Sequence, residues 1–196
     1  MKNLNINSLF NFNNKTVLIT GSSGQIGTAL AKLFLRLGAK VYGFDKSKST
    51  INNINFNFIK LDIAKKNIIK SKFQSIIKKE RKIDVIINNA AVSVFSKYNQ
   101  RTEKELNLTI DTNIKGVLNI INSYSDIHKK NNLKKCSIIN IGSIYGFLSP
   151  DFRIYGSKDN YSSEIYGATK AAVIQLTKYY SVMLAKYQIN VNCLSP

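Results

Sequence analysis

The sequence predicts an α/β fold of the doubly wound kind, a parallel sheet with helices on both faces. Three observations predict it. Short and almost wholly apolar runs recur along the chain, as strands buried on both faces require. Segments with apolar residues at helical spacing separate them, and such alternation implies βαβ units and a parallel sheet. The first apolar run passes straight into a glycine-rich turn, Gly21-Ser22-Ser23-Gly24-Gln25-Ile26-Gly27, and then into a helical stretch. That order suits a phosphate-binding turn: glycine admits a close ligand, and free N–H groups at the helix start face its negative charge. The glycines stand three apart, so this is not a strict G-x-G-x-x-G, and a tight ligand-free turn is the alternative reading.

The elements follow in order. Residues 1–14 are an Asn-rich lead-in whose Leu4, Ile6, Leu9, Phe10 and Phe12 are expected to pack on the domain edge. Residues 15–20 form the first strand. The helix after Gly27 runs through Ala29, Leu30, Leu33, Phe34 and Leu37 and ends at Gly38, a C′ glycine. Residues 39–44 form the second strand, which stops at Asp45. This carboxylate lies eighteen positions after Gly27, near the spacing of the group that accepts from an adenosine ribose 2′-hydroxyl. An acid there repels a 2′-phosphate and favours NAD over NADP, although Lys46 and Lys48 stand within reach of a phosphate. A loop-start Asx turn is the plainer role for Asp45. Residues 56–61 form the third strand, followed by Asp62-Ile63 and a helix carrying Ile68, Ile69, Phe73, Ile76 and Ile77. Residues 83–87 form the fourth strand and lead into Asn88-Asn89-Ala90-Ala91, where small residues and amides suit a ligand at the point where strand order reverses. A long helix is predicted over 102–127, with Asn113 inside it; Asn is a mediocre helix former, and in this Asn-rich chain composition alone explains it as readily as function. Residues 136–141 form the fifth strand and end at Gly142-Ser143. Residues 148–162 break the pattern, 163–187 form a helix, and 189–194 form the sixth strand.

Composition narrows the classes of function. The chain has 196 residues, enough for one domain with a sizeable core. No run approaches the length of a membrane span, and residues 1–7 contain no signal-peptide core, so a cytoplasmic protein without membrane contact is expected. Cys136 and Cys193 have no metal-like spacing and read as buried free thiols; no metal is expected. The net charge of +18 invites a nucleic-acid reading. The lysines are nevertheless scattered over helix ends and loops, and no nucleic-acid partner is expected.

Tyr166-Gly167-Ala168-Thr169-Lys170 places a phenol and an ammonium one turn apart on one helix face. An ammonium beside a phenol favours the phenolate, which then exchanges a proton with a substrate hydroxyl or carbonyl. Ser143 can donate to the same oxygen. An exposed helical pair is the plainer reading of Y-x-x-x-K taken alone.

In order, Thr20-Gly21 through Gly27, Asp45, Asp62, Asn88-Asn89-Ala90, Asn113, Ser143, Tyr166 with Lys170, and Asn190-Val191-Asn192-Cys193-Leu194-Ser195-Pro196 resemble the short-chain dehydrogenase/reductase family over nearly the whole chain. The resemblance implies one Rossmann-type NAD(P)-binding domain over 1–196 and oxidoreduction between a secondary alcohol and a ketone. It implies that Tyr166 is the acid/base, that Lys170 binds the nicotinamide ribose and favours the phenolate, that Ser143 orients substrate, and that Asn113 holds a relay water. It implies that Gly21, Ser23, Gly24, Gln25, Ile26 and Gly27 meet the pyrophosphate side, that Asp45, Asp62 and Ile63 meet the adenosine, and that Asn89 and Ala90 line it. A homodimer or homotetramer built on the 102–127 and 163–187 helices is likewise implied.

The chain also departs from the family pattern. Gln25 stands where single-domain members carry glycine, and the resulting turn looks like that of the branch that modifies nucleotide sugars. A nucleotide-sugar epimerase or dehydratase with tightly held NAD is therefore the alternative enzyme, and a cofactor-sensing or nucleic-acid-binding module the non-enzymatic one. Ser143 and Tyr166 are 23 positions apart, longer than is usual. The extra residues, 151–161, include Arg153 and Lys158 and are expected to wall a pocket for a polar, sugar-like or anionic substrate, as in some oxidoreductases of surface-sugar or flagellin modification. Members usually continue past Pro196 with a substrate-covering loop and another strand, so a C-terminal truncation is expected.

Overall fold

The computed structural model describes residues 10–155 and 161–196. Among them, strands β1 (Thr16–Thr20), β2 (Lys40–Asp45), β3 (Phe56–Lys60), β4 (Val85–Asn88), β5 (Cys136–Ile141) and β6 (Ile189–Leu194) form one sheet in the order β3-β2-β1-β4-β5-β6. Every neighbouring pair is parallel. The order reverses between β1 and β4, which opens a crevice at the C-terminal ends of those strands.

Alternation along β1 divides the core. Leu18 faces one layer, packed with Phe73, Tyr124 and Val173. Val17 and Ile19 face the other, with Ala31 and Ile87. Helices α1 (Gln25–Arg36), α2 (Lys66–Glu80), α3 (Glu103–Ile110), α4 (Gly116–Lys130) and α5 (Glu164–Ala185) cover the sheet, with α1 in the second layer and α2, α4 and α5 in the first. Helix α1 closes at Gly38 by paired bonds, Gly38 N–H to Leu35 and Ala39 N–H to Phe34. Phe12 packs edge-on against Phe34 at 5.0 Å, as expected of the lead-in, whereas Phe10 is exposed. Leu4, Ile6 and Leu9 lie outside the described residues.

Three differences from the sequence reading have physical causes. The predicted 102–127 helix is two helices, joined by a π-helical turn at Asp111–Lys115 that contains Asn113. Thr102 begins α3 with a complete capping box: its hydroxyl accepts from Glu105 N–H while its own N–H donates to the Glu105 carboxylate. The regular fourth strand begins at Val85, later than expected, although Asp84 still donates its N–H to the Thr16 carbonyl and accepts from Ser137 N–H, while its carboxylate pairs with Lys15 and Lys82 at 3.3 and 2.6 Å. Of the two thiols, Cys136 is buried on central β5, but Cys193 is only half-buried, since β6 is the sheet's outer strand. Among the described residues, no helix is long and apolar enough to cross a membrane.

Candidate functional site

The crevice is a cleft of about 490 Å³, lined by Gly21, Ser23, Gly24, Gln25, Ile26, Asp45, Asp62, Ile63, Asn89 and Ala90 among others. Gly21 requires its residue type twice over: its φ is +67°, and a Cβ would fall 2.7 Å from the Ala90 Cα. Gly27 lies behind the cleft, where a side chain would strike the Gly21 carbonyl; its role is to let α1 approach the turn. Asp45 accepts from Ser23 N–H at 3.0 Å and from Ser47 N–H at 2.8 Å. It therefore makes both the Asx turn and a bond to the glycine-rich turn, fixing its carboxylate at the cleft. Asp62 makes an Asx turn to Ala64 N–H at 3.0 Å.

Asn89 and Asn88 part company. The Asn89 amide donates to the Thr20 and Gly21 carbonyls, both at 3.1 Å, and fastens the turn. Asn88 turns into the core and donates to Asn140 at 2.8 Å. Thr20, absent from the predicted site residues, is a hub: its buried hydroxyl accepts from the N–H groups of Asn89 and Ala90 at 3.1 Å. The signal was the β-branched hydroxyl residue at the end of an apolar run.

A second group gathers around α5. Ser143 begins a 3-10 turn at Ile144–Gly146, and its hydroxyl accepts from Tyr145 N–H at 3.2 Å. That turn lies against α5: a Cβ on Gly167 would sit 2.9 Å from the Tyr145 carbonyl oxygen. Lys170 is buried, its ammonium donating to the Ile141 carbonyl at 2.7 Å and standing 5.5 Å from the Tyr166 ring centroid. Burial pulls the Lys170 pKa down from 10.5 to about 8. The fold thus brings Tyr166, Lys170 and the Ser143 turn together.

Asn113 joins the two groups. Its carbonyl oxygen accepts from Val92 N–H at 2.8 Å, and its amide donates to the Val92 carbonyl at 2.9 Å and to the Thr169 hydroxyl at 3.0 Å. Val92 lines the cleft and Thr169 precedes Lys170. With both amide hydrogens committed, the side chain clamps one group to the other. Thr169 donates in turn to the Tyr166 carbonyl at 2.8 Å, and no local pattern in the sequence marked it.

The described part of the 151–161 stretch differs from the expected cationic wall. Arg153 is turned to solvent, its side chain 91 % exposed, and forks onto Asp151 at 2.8 and 3.2 Å. Lys158 lies outside the described residues. Arg101, not foreseen as a site residue, is the buried cation here, donating to Glu164 at 2.7 Å.

Comparison with known proteins agrees with this geometry. The sequence profile described as short chain dehydrogenase matches residues 15–196. A short chain dehydrogenase from Leptospira borgpetersenii serovar Hardjo-bovis, solved with bound NAD+, is 36 % identical, covered over 100 % of this chain and 75 % of its own, with a TM-score of 0.89. The 3-oxoacyl-[acyl-carrier-protein] reductase of Thermotoga maritima is 30 % identical over 191 residues, and that of Chlamydia muridarum 29 % over 193; each alignment covers 93 % of this chain and 73 % of the relative. From the cradle at the β1–β4 crevice, the clustered Tyr166 and Lys170, and a profile match running from Lys15 to Pro196, it follows that the chain belongs to the short-chain dehydrogenase family of oxidoreductases.

Proposed function

We propose that the protein interconverts a secondary alcohol and a ketone with a nicotinamide dinucleotide, NAD in preference to NADP, and that Tyr166 is its general acid/base. One observation carries this: a buried ammonium, Lys170, lies 5.5 Å from the Tyr166 ring, beside the turn that Ser143 begins. The residues fit a dinucleotide. The glycine-rich turn lines a cleft of about 490 Å³, and Asp45 is held at it for a ribose hydroxyl. NAD+ in the Leptospira relative supports the same reading. The dehydrogenase and reductase names of the relatives do not favour the epimerase or dehydratase alternative.

When bound, the nicotinamide supplies or accepts the hydride. The chain supplies the rest. In reduction the Tyr166 hydroxyl gives its proton to the carbonyl oxygen; in oxidation the phenolate takes it back. The Ser143 hydroxyl donates to that oxygen as charge develops. Lys170 stabilises the phenolate. Asn113 is a positioning residue whose side chain is spent on Val92 and Thr169, so a relay water would fall to its backbone.

The test is Tyr166→Phe. It is expected to lower kcat by roughly 10²–10⁴-fold while leaving dinucleotide binding, read by calorimetry, within a few-fold. Full activity in that variant would end the proposal. Asp45→Asn is expected to reduce the preference for NAD over NADP by about tenfold or more, measured as a ratio of kcat/KM values.

A further inference from the structure

We propose that a second cleft, formed by Arg101, the 149–152 segment and the 161–164 segment, seats an uncharged apolar chain or ring of the substrate. The proposal rests on the Tyr166 reading and names the substrate class of that site.

The cleft holds about 530 Å³, the size of a small-molecule site. Its walls are Pro150 and the rings of Phe152 and Tyr161, which meet edge to face at 5.0 Å. Tyr161 also meets Tyr155 at 5.7 Å, and the Tyr155 hydroxyl lies 2.9 Å from that of Tyr145. The aromatic wall is therefore continuous with the turn after Ser143. The opposite wall ends at Glu164, two residues before Tyr166 on α5. The cleft thus shares both of its sides with the segments that carry the candidate acid/base and its partner hydroxyl.

Among the described residues, the one cation lining the cleft is already answered. The Arg101 side chain is 5 % exposed; its Nε donates to the Glu164 carboxylate and its Nη1 to the Ser96 carbonyl. Arg153, the cation expected to attract an anion, forks onto Asp151 in solvent and lines no part of the cleft. A ring-walled cavity favours apolar surface, and among its described lining residues no charge is left unanswered for an anion.

The chain contains no Trp, so Phe152→Trp places a sole indole in the cleft. Titrating 2-butanone, 2-hexanone, 2-octanone and 7-oxooctanoate against its fluorescence, we expect affinity to rise about fourfold per added methylene. The carboxylate-ended compound should bind at least tenfold more weakly than 2-octanone. Affinity that ignores chain length, or that favours the carboxylate, overturns the proposal. Calorimetry on the unsubstituted protein should give the same ordering, which keeps the test open if the variant does not fold. Ser149→Trp, which fills the cleft, should lower kcat/KM for 2-octanone at least tenfold and leave that for 2-butanone within twofold; equal losses on both overturn it. Binding that follows chain length without any oxidoreduction would leave the apolar cleft standing and remove the Tyr166 reading. Turnover of short ketones with no dependence on chain length would do the reverse.

Discussion

Lys170 shows how burying a charge at the candidate site costs stability. An ammonium 4 % exposed, with the Ile141 carbonyl as its only hydrogen-bond partner among the described residues, is charged at a penalty, which is why its pKa falls from 10.5 to about 8. Below pH 8 it is protonated both folded and unfolded, and the full penalty is present. Between pH 8 and 10.5 the unfolded chain binds more protons, so stability rises with pH. Lys170→Met is therefore expected to stabilise the fold at pH 7, by on the order of 1–3 kcal/mol, and to lose that advantage by pH 10.5, while activity disappears. Urea melts at the two pH values check this; a variant weaker than the parent at pH 7 would refute it. Thr169 works in the other direction. Its hydroxyl accepts from Asn113 and donates to the Tyr166 carbonyl. Thr169→Val leaves a buried amide hydrogen unpaired and is expected to cost about 1–3 kcal/mol, with Thr169→Ser recovering most of it.

At the scale of elements, the connection between α4 and the ends of β4 and β6 contains the chain's only histidine. His128 is buried in α4, its Nε2 donating to the Tyr187 carbonyl at 2.9 Å and its Nδ1 3.2 Å from the Tyr124 hydroxyl, which itself donates to the Ile83 carbonyl. Burial holds its pKa below the usual 6.5, partly offset by the Tyr187 carbonyl. The neutral ring thus contributes stability that is complete above pH 6.5 and is lost as pH falls below it. Glu80 and Asp84 act lower on the scale. Burial raises their pKa values, but hydrogen bonds from Tyr42 and Lys40 to Glu80, and from Lys82 and Thr16 to Asp84, bring them below the ordinary carboxylate range. Loss of urea midpoint between pH 7.5 and 5.5 is therefore expected to come from His128 and to be absent in His128→Gln. An unchanged pH slope in that variant would reassign it.

At the scale of the molecule, what was legible in the sequence is what repeats locally. The inner strands read as apolar runs because central parallel strands are covered on both faces, and the cradle read as glycines because backbone approach excludes a Cβ. What was not legible depends on partners far apart in the chain. Nothing near Asn113 foretells a π-helical turn; the turn holds its side chain against Val92, 21 positions back, and Thr169, 56 positions on. Nor does anything beside Arg101 announce its bond to Glu164, 63 positions away. Helical periodicity reads one helix over 102–127 where there are two, because it has no means of registering one extra residue per turn between them.

The bond from the Ser23 amide to Asp45 has a consequence for recognition. A turn tied to the neighbouring strand end keeps its shape in an empty protein, so a visiting nucleotide meets a finished mould and surrenders little chain freedom on arrival. The Ser23 amide proton should accordingly exchange slowly with solvent before any ligand is added, and Asp45→Ala should release it.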